Sequence, residues 1–129
     1  MKKISYTNIQ NQWIDEKKKI LRIIESVFKK GQFVNEKEVK VFEKNVAKVC
    51  GVKYAIGLNS GTDALTLGLK LIGVKKGDEV ITPPNSFISS TSSIVHVGAR
   101  PVFVDVGDDQ NINPNLIEKS ITKKTKAIM

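Results

Sequence analysis

Apolar residues recur at helical spacing over residues 14–30, where Ile14, Leu21, Ile24 and Phe28 are joined by Ile20, Ile23 and Val27. This pattern predicts an amphipathic helix, with Gly31 as its C-terminal stop. After Gln32-Phe33-Val34, Asn35 is placed to cap a second helix with Glu38 at the capping-box position, and Val39, Phe42, Val46 and Val49 form an apolar stripe ahead of Gly51. That stripe reads as core. From Tyr54 onward the texture changes to short apolar runs, and residues 54–58, 79–82, 101–106 and 126–129 read as strands. Three helices are predicted between them. The first spans 62–72, is apolar nearly all round and is therefore expected to be buried between layers, with Gly73 as its stop. The second spans 86–97 and ends at Gly98; its serines and threonines read as a surface for close helix packing. The third opens with Asn113 as cap and Pro114 at its first position.

Strand alternating with helix over such short connections implies parallel strands joined by right-handed crossovers, hence an α/β fold with helices on both faces of an open sheet. Four such strands would leave open edges, and residues 126–129 read as a central strand with no closing element after it. On this pattern the chain is expected to be truncated at Met129.

Composition adds a few exclusions. The 129 residues contain no apolar run of membrane-spanning length, and the first eight lack the apolar stretch of a signal peptide, so a cytoplasmic location with no membrane partner is expected. The single cysteine, Cys50, forms no internal disulfide and reads as a small buried apolar residue. The formal charge of +8 raises the question of nucleic acid. The lysines, however, fall in small groups on polar faces and at helix ends without interleaved aromatics, and they read as solvated surface.

Candidate chemistry gathers where the 54–58 run meets the first helix of the alternating region. Asn59-Ser60-Gly61-Thr62 opens that helix at a strand's carboxyl end, the edge where open α/β sheets bind ligands. Unpaired N–H groups and the helix dipole suit a phosphate there, Gly61 permits close backbone approach, and Ser60 and Thr62 add hydroxyl donors. The same four residues also describe an ordinary helix cap. A dinucleotide site fits poorly, since the turn has one glycine instead of three and Ile81-Thr82-Pro83-Pro84 supplies no acidic residue for a ribose; no P-loop is present. Phe87 lies at the same edge, where it could stack on a flat ring or serve as a core aromatic. His96, at the far end of its helix, reads as structural. Asp105 reads either as a ligand-edge carboxylate or as a turn residue stabilising the following loop.

Five ordered segments, residues 51–57, 59–65, 77–83, 98–106 and 122–128, strongly resemble the DegT/StrS family of nucleotide-sugar aminotransferases. The resemblance runs from about Gly31 to Met129. Residues 1–30, read from their periodicity as an N-terminal amphipathic helical segment, are compatible with it, and it implies 31–129 as the N-terminal part of the large, three-layer α/β/α domain of a fold-type-I pyridoxal-phosphate transferase. It implies a cytoplasmic homodimer using pyridoxal 5'-phosphate to move an amino group, typically from glutamate, to a keto sugar linked to a nucleotide, in amino-sugar, polysaccharide or lipopolysaccharide biosynthesis. By position, Ser60, Gly61, Thr62 and Asp63 would hold the cofactor phosphate and Phe87 would stack on its ring. The Schiff-base lysine and the carboxylate facing the pyridinium nitrogen are expected beyond Met129, so no catalytic residue is assigned here. Asn35-Glu36-Lys37 stands where the family often has a Gly-Pro pair near the substrate. A sugar dehydratase of the same superfamily and a non-catalytic binding or regulatory module are the alternatives.

Overall fold

A computed structural model of the chain describes residues 6–31, 33–34 and 37–129. The chain divides into two compact units, Met1–Gly57 and Leu58–Met129.

The first unit contains two helices, α1 (Ile9–Lys30) and α2 (Lys37–Cys50). Helix α1 starts five residues before the predicted position and ends as expected at Gly31, which adopts φ +65° and donates its N–H to the Phe28 carbonyl. A left-handed residue at this point satisfies a carbonyl that the helix itself cannot, which glycine does without a Cβ penalty. Glu25 and Lys29 pair along the exposed face at 2.8 Å, and the Phe28 and Phe33 rings meet edge to face at 5.2 Å. The predicted Asn35 cap lies outside the described residues. Glu38 instead accepts a hydrogen bond from Lys30 Nζ, and its carboxyl sits below the usual range because backbone and Lys30 donors stabilise the anion.

Two expectations about α2 are corrected. Its stripe is not core: Val39, Phe42 and Val49 are exposed, and Ala47 is the helix's one buried residue. Cys50 is exposed as well, because it occupies the last helical position, where no element among the described residues covers it. The 54–58 run, predicted as a strand, carries no ladder. Alternating sequence equips a segment to pair, but a strand exists only when a neighbour accepts its hydrogen bonds, and no strand among the described residues does so. Gly57 N–H donates to Glu43 Oε1 at 2.7 Å.

The second unit runs α3 (Gly61–Leu71), β1 (Glu79–Thr82), α4 (Ile88–His96), β2 (Arg100–Phe103), α5 (Pro114–Ile117) with a 3-10 turn (Glu118–Ser120), and β3 (Thr125–Ile128). The strands form a fully parallel sheet in the order β2-β1-β3, so among the described residues three strands replace the four expected. Strand β2 is also shorter than predicted: it ends at Phe103, Val104 N–H makes a last bond to the Thr82 carbonyl at 3.2 Å, and Val106 makes only an isolated bridge to Ile112.

Central β1 is buried at all four positions. Val80 joins Leu69 of α3, Ile94 of α4, Val74 and Ala99 in the core, with Val97, Ala127 and Met129 packed alongside. Helix α3 buries only Leu69 and leaves Leu67, Leu71 and Ile72 exposed, which corrects the expectation of burial all round. In this unit its principal helical neighbour is α4, which covers one face. The expected close packing of α4 does occur: Ser89 and Ser93 are buried, and Ser93 Oγ donates to the Thr62 carbonyl at 3.3 Å.

The sheet is clamped at the amino-terminal end of its strands. The nearly buried Glu79 carboxylate accepts from Thr122 Oγ1 at 2.7 Å and pairs with Arg100 across to β2. These donors, Thr122 first and Arg100 second, hold the Glu79 carboxyl below its ordinary range. The opposite end of the parallel strands is left for the segment leading to Phe87.

Candidate functional site

The site is built around the start of α3. Ser60 has extended backbone, φ −156° and ψ 162°, and its Oγ accepts from Asp63 N–H at 3.1 Å, a regular N-cap. Ala64 N–H reaches the Ser60 carbonyl. Helix geometry leaves Gly61 and Thr62 N–H with no acceptor inside the helix, and neither finds one among the described residues. Because a hydroxyl that accepts still owns a proton, Ser60 can cap the helix and donate outward at once. A Cβ built on Gly61 would meet nothing within 4 Å, so the backbone there faces open space.

A groove of about 570 Å³ opens over this turn, lined by Ser60, Gly61, Thr62, Leu65, Phe87, Ser89 and Ser90. Four of the five residues singled out from the sequence therefore share one groove. Asp63 does not line it. Its N–H is already taken by Ser60, and its carboxylate lies in the first turn, where it complements the positive end of the helix dipole. Phe87, just before α4, is 77% exposed, so within this chain it is not the core aromatic it might have been.

Helix α4 supplies the floor. Thr62 Oγ1 and Ser89 Oγ are hydrogen-bonded at 2.7 Å, and the Thr62 carbonyl accepts from Ser93 Oγ and, at 2.9 Å, from Thr66 Oγ1. Ser86 and Ser90 hydroxyls pair at 2.8 Å at the start of α4. Ser89 and Ser90 were not singled out as site residues in the sequence. The signal was present in the Ser/Thr-rich run, but it accounted equally well for helix packing, which Ser93 in fact provides.

The remaining candidates lie elsewhere. His96 is the exposed last residue of α4. Asp105 takes its turn role: Oδ1 accepts from Val106 N–H at 2.8 Å, and its carbonyl accepts from Asn113 N–H. In the same loop, side-chain and backbone bonds from Asn111 hold the Asp109 carboxyl below its usual value.

The arrangement pairs free backbone donors and hydroxyls at a helix start with an exposed aromatic face at one edge of a parallel sheet. It suits a ligand combining an anionic group and a flat ring, and it defines an α/β ligand-binding unit. The chain belongs to the DegT/DnrJ/EryC1/StrS aminotransferase family, whose model matches residues 14–129.

Among curated proteins it is 38% identical over 127 residues to UDP-2-acetamido-2-deoxy-3-oxo-D-glucuronate aminotransferase of Pseudomonas aeruginosa, covering 98% of this chain and 35% of that protein. DesV from S. venezuelae superposes with a TM-score of 0.92 at 32% identity, covering 99% of this chain and 35% of DesV. NtdA from Bacillus subtilis, solved with bound cofactor PMP, gives a TM-score of 0.84 at 37% identity, over 88% of this chain and 26% of NtdA. The chain thus spans about a third of the length of the curated relatives it matches. Its fold is the α/β fold of the fold-type-I pyridoxal-phosphate aminotransferases. No helix among the described residues is long and apolar enough to cross a membrane.

Proposed function

We propose that these residues form the phosphate and ring seat for pyridoxal 5'-phosphate in an enzyme that transfers an amino group, with glutamate as donor, to a keto sugar linked to a nucleotide. The observation that carries this reading is the shared groove of Ser60, Gly61, Thr62 and Phe87 at the start of α3. The fit is good on the donor set: Ser60, Gly61 and Thr62 line the groove and carry two N–H groups without an acceptor among the described residues and two hydroxyls, and hydrogen bonds to an anion are about twice as strong as neutral ones. When bound, the cofactor supplies an electron sink for chemistry at the carbon bearing the amino group.

The work assigned to this chain is positional. Gly61 and Thr62 N–H with the Ser60 and Thr62 hydroxyls bind and orient the phosphate. Phe87 holds one face of the ring and shields it from water. The helix dipole of α3 favours the phosphate dianion. Asp63, contributing its charge to the helix rather than a free N–H, is a supporting residue. The residues of this chain bind and orient, and in this reading the lysine that would bond to the cofactor belongs to a segment outside these 129 residues. Residues 31–129 act in this reading as part of the large domain of a homodimeric enzyme of surface-polysaccharide or lipopolysaccharide biosynthesis working in the cytoplasm. The name of the Pseudomonas aeruginosa relative, an aminotransferase of a UDP-linked oxo sugar, supports the substrate class.

The test uses the full-length protein that carries this sequence. Purified with pyridoxal phosphate, it is expected to show a visible absorbance band that borohydride abolishes, leaving the cofactor fixed to a lysine. Phe87→Ala is expected to weaken both pyridoxal phosphate and pyridoxal about three- to tenfold, the worth of one aromatic contact. A wild-type protein that binds no pyridoxal phosphate would sink the reading.

A further inference from the structure

We infer that Ser89 is a positioning residue that sets the direction of the Thr62 hydroxyl in the phosphate seat; this rests on the pyridoxal-phosphate reading above. The Thr62 Oγ1 to Ser89 Oγ contact of 2.7 Å has two possible polarities, since each hydroxyl owns one proton and two lone pairs. If Thr62 donates to Ser89, it turns a lone pair toward the groove and repels an anion. If Ser89 donates to Thr62, the Thr62 proton is released to point into the groove. An anion in the groove selects the second polarity, and the chain from Ser89 through Thr62 to the anion strengthens each of its bonds.

The surrounding contacts make Ser89 suited to this task. It is 8% exposed, so water competes little for its proton. The Thr62 backbone is held in place, because its carbonyl accepts from Thr66 Oγ1 at 2.9 Å and from the fully buried Ser93 at 3.3 Å. Helix α4 therefore holds Thr62 at both its hydroxyl and its carbonyl. Ser89 also lines the groove, but in this scheme it acts through Thr62, a distinction the double-mutant cycle reads directly.

The experiment is a double-mutant cycle in the full-length protein, titrated separately with pyridoxal phosphate and with pyridoxal, which has the ring but no phosphate. Ser89→Ala is expected to weaken pyridoxal phosphate about fivefold while changing pyridoxal less than about twofold. Thr62→Val, which removes a bond to a charged group, is expected to cost about tenfold or more for pyridoxal phosphate alone. In the Thr62→Val background, Ser89→Ala is expected to have no further effect beyond about twofold. Ser89→Cys, similar in size and a weaker donor, is expected to fall between serine and alanine.

Equal loss for both ligands on Ser89→Ala would mean a merely structural role and overturn the inference. Losses from Ser89→Ala and Thr62→Val that simply multiply would overturn it too. A wild-type protein with no preference for pyridoxal phosphate over pyridoxal would overturn the phosphate seat itself, an outcome visible before any variant is made.

Discussion

Replacing Gly98 and Gly73 separately by alanine gives a measurement of how tightly the α4–β2 turn is packed. Both glycines have positive φ, +80° and +85°. An alanine in the left-handed region costs roughly 1–2 kcal/mol, offset by roughly 0.4–1 kcal/mol because alanine restricts the unfolded chain. For Gly73 nothing lies within 4 Å of the added Cβ, so the conformational cost stands alone and the net loss is about 1 kcal/mol.

At Gly98 the new Cβ would lie 3.2 Å from Lys76 Cβ and 3.3 Å from Lys76 Cα. Retreat is resisted, because Gly98 N–H donates to Val95 at 2.9 Å and the Gly98 carbonyl accepts from Gly77 N–H at 3.3 Å. Forcing a methyl into such a contact adds roughly 1–3 kcal/mol, for a net loss of about 2–4 kcal/mol. Urea unfolding followed by far-ultraviolet circular dichroism reads the difference between the variants. At a slope of about 2 kcal/mol/M it is expected to place the Gly98→Ala midpoint about 1 M below that of Gly73→Ala. Equal midpoints, or a lower one for Gly73→Ala, would refute the claim that the Lys76 backbone closes off this turn.

Two further outcomes are expected. Ile94→Ala removes a fully buried side chain between α3, β1 and β2 and should destabilise the protein by about 2–5 kcal/mol, read from the same urea curves. The Glu79 clamp predicts pH dependence: its folded carboxyl titrates below the ordinary 4.5, so the stabilisation is complete above about that pH and is lost as pH falls through the lowered folded value. Glu79→Gln should therefore flatten the fall in unfolding midpoint below about pH 4.5. An unchanged acid limb would show that Thr122 and Arg100 do not hold the charge.

Local signals in this chain were legible wherever one or two residues dictate the backbone. Gly31, Gly73 and Gly98 end their helices with positive φ, Ser60 caps α3, Asn113 and Pro114 open α5, and β1 occupies residues 79–82 as its apolar pattern indicates. These outcomes depend on steric and hydrogen-bonding preferences that operate over a single turn, so the sequence by itself determined them. It also brought Ser60, Gly61, Thr62 and Phe87 into view as one edge of an α/β unit.

What depends on a distant partner was decided only by the tertiary structure. Residues 54–58 have strand composition and no ladder, β2 leaves the sheet at Phe103, and the stripes of α2 and α3 have apolar residues in solvent. The pairing of Ser89 with Thr62, 27 positions apart, belongs to the same group. A serine in an amphipathic helix fits packing and hydrogen bonding alike, and its role follows from which atom the fold brings within 2.7 Å of it. Backbone turns are fixed by energies internal to a few residues, whereas burial, ladders and hydroxyl partners are fixed by contacts that do not exist until the elements meet.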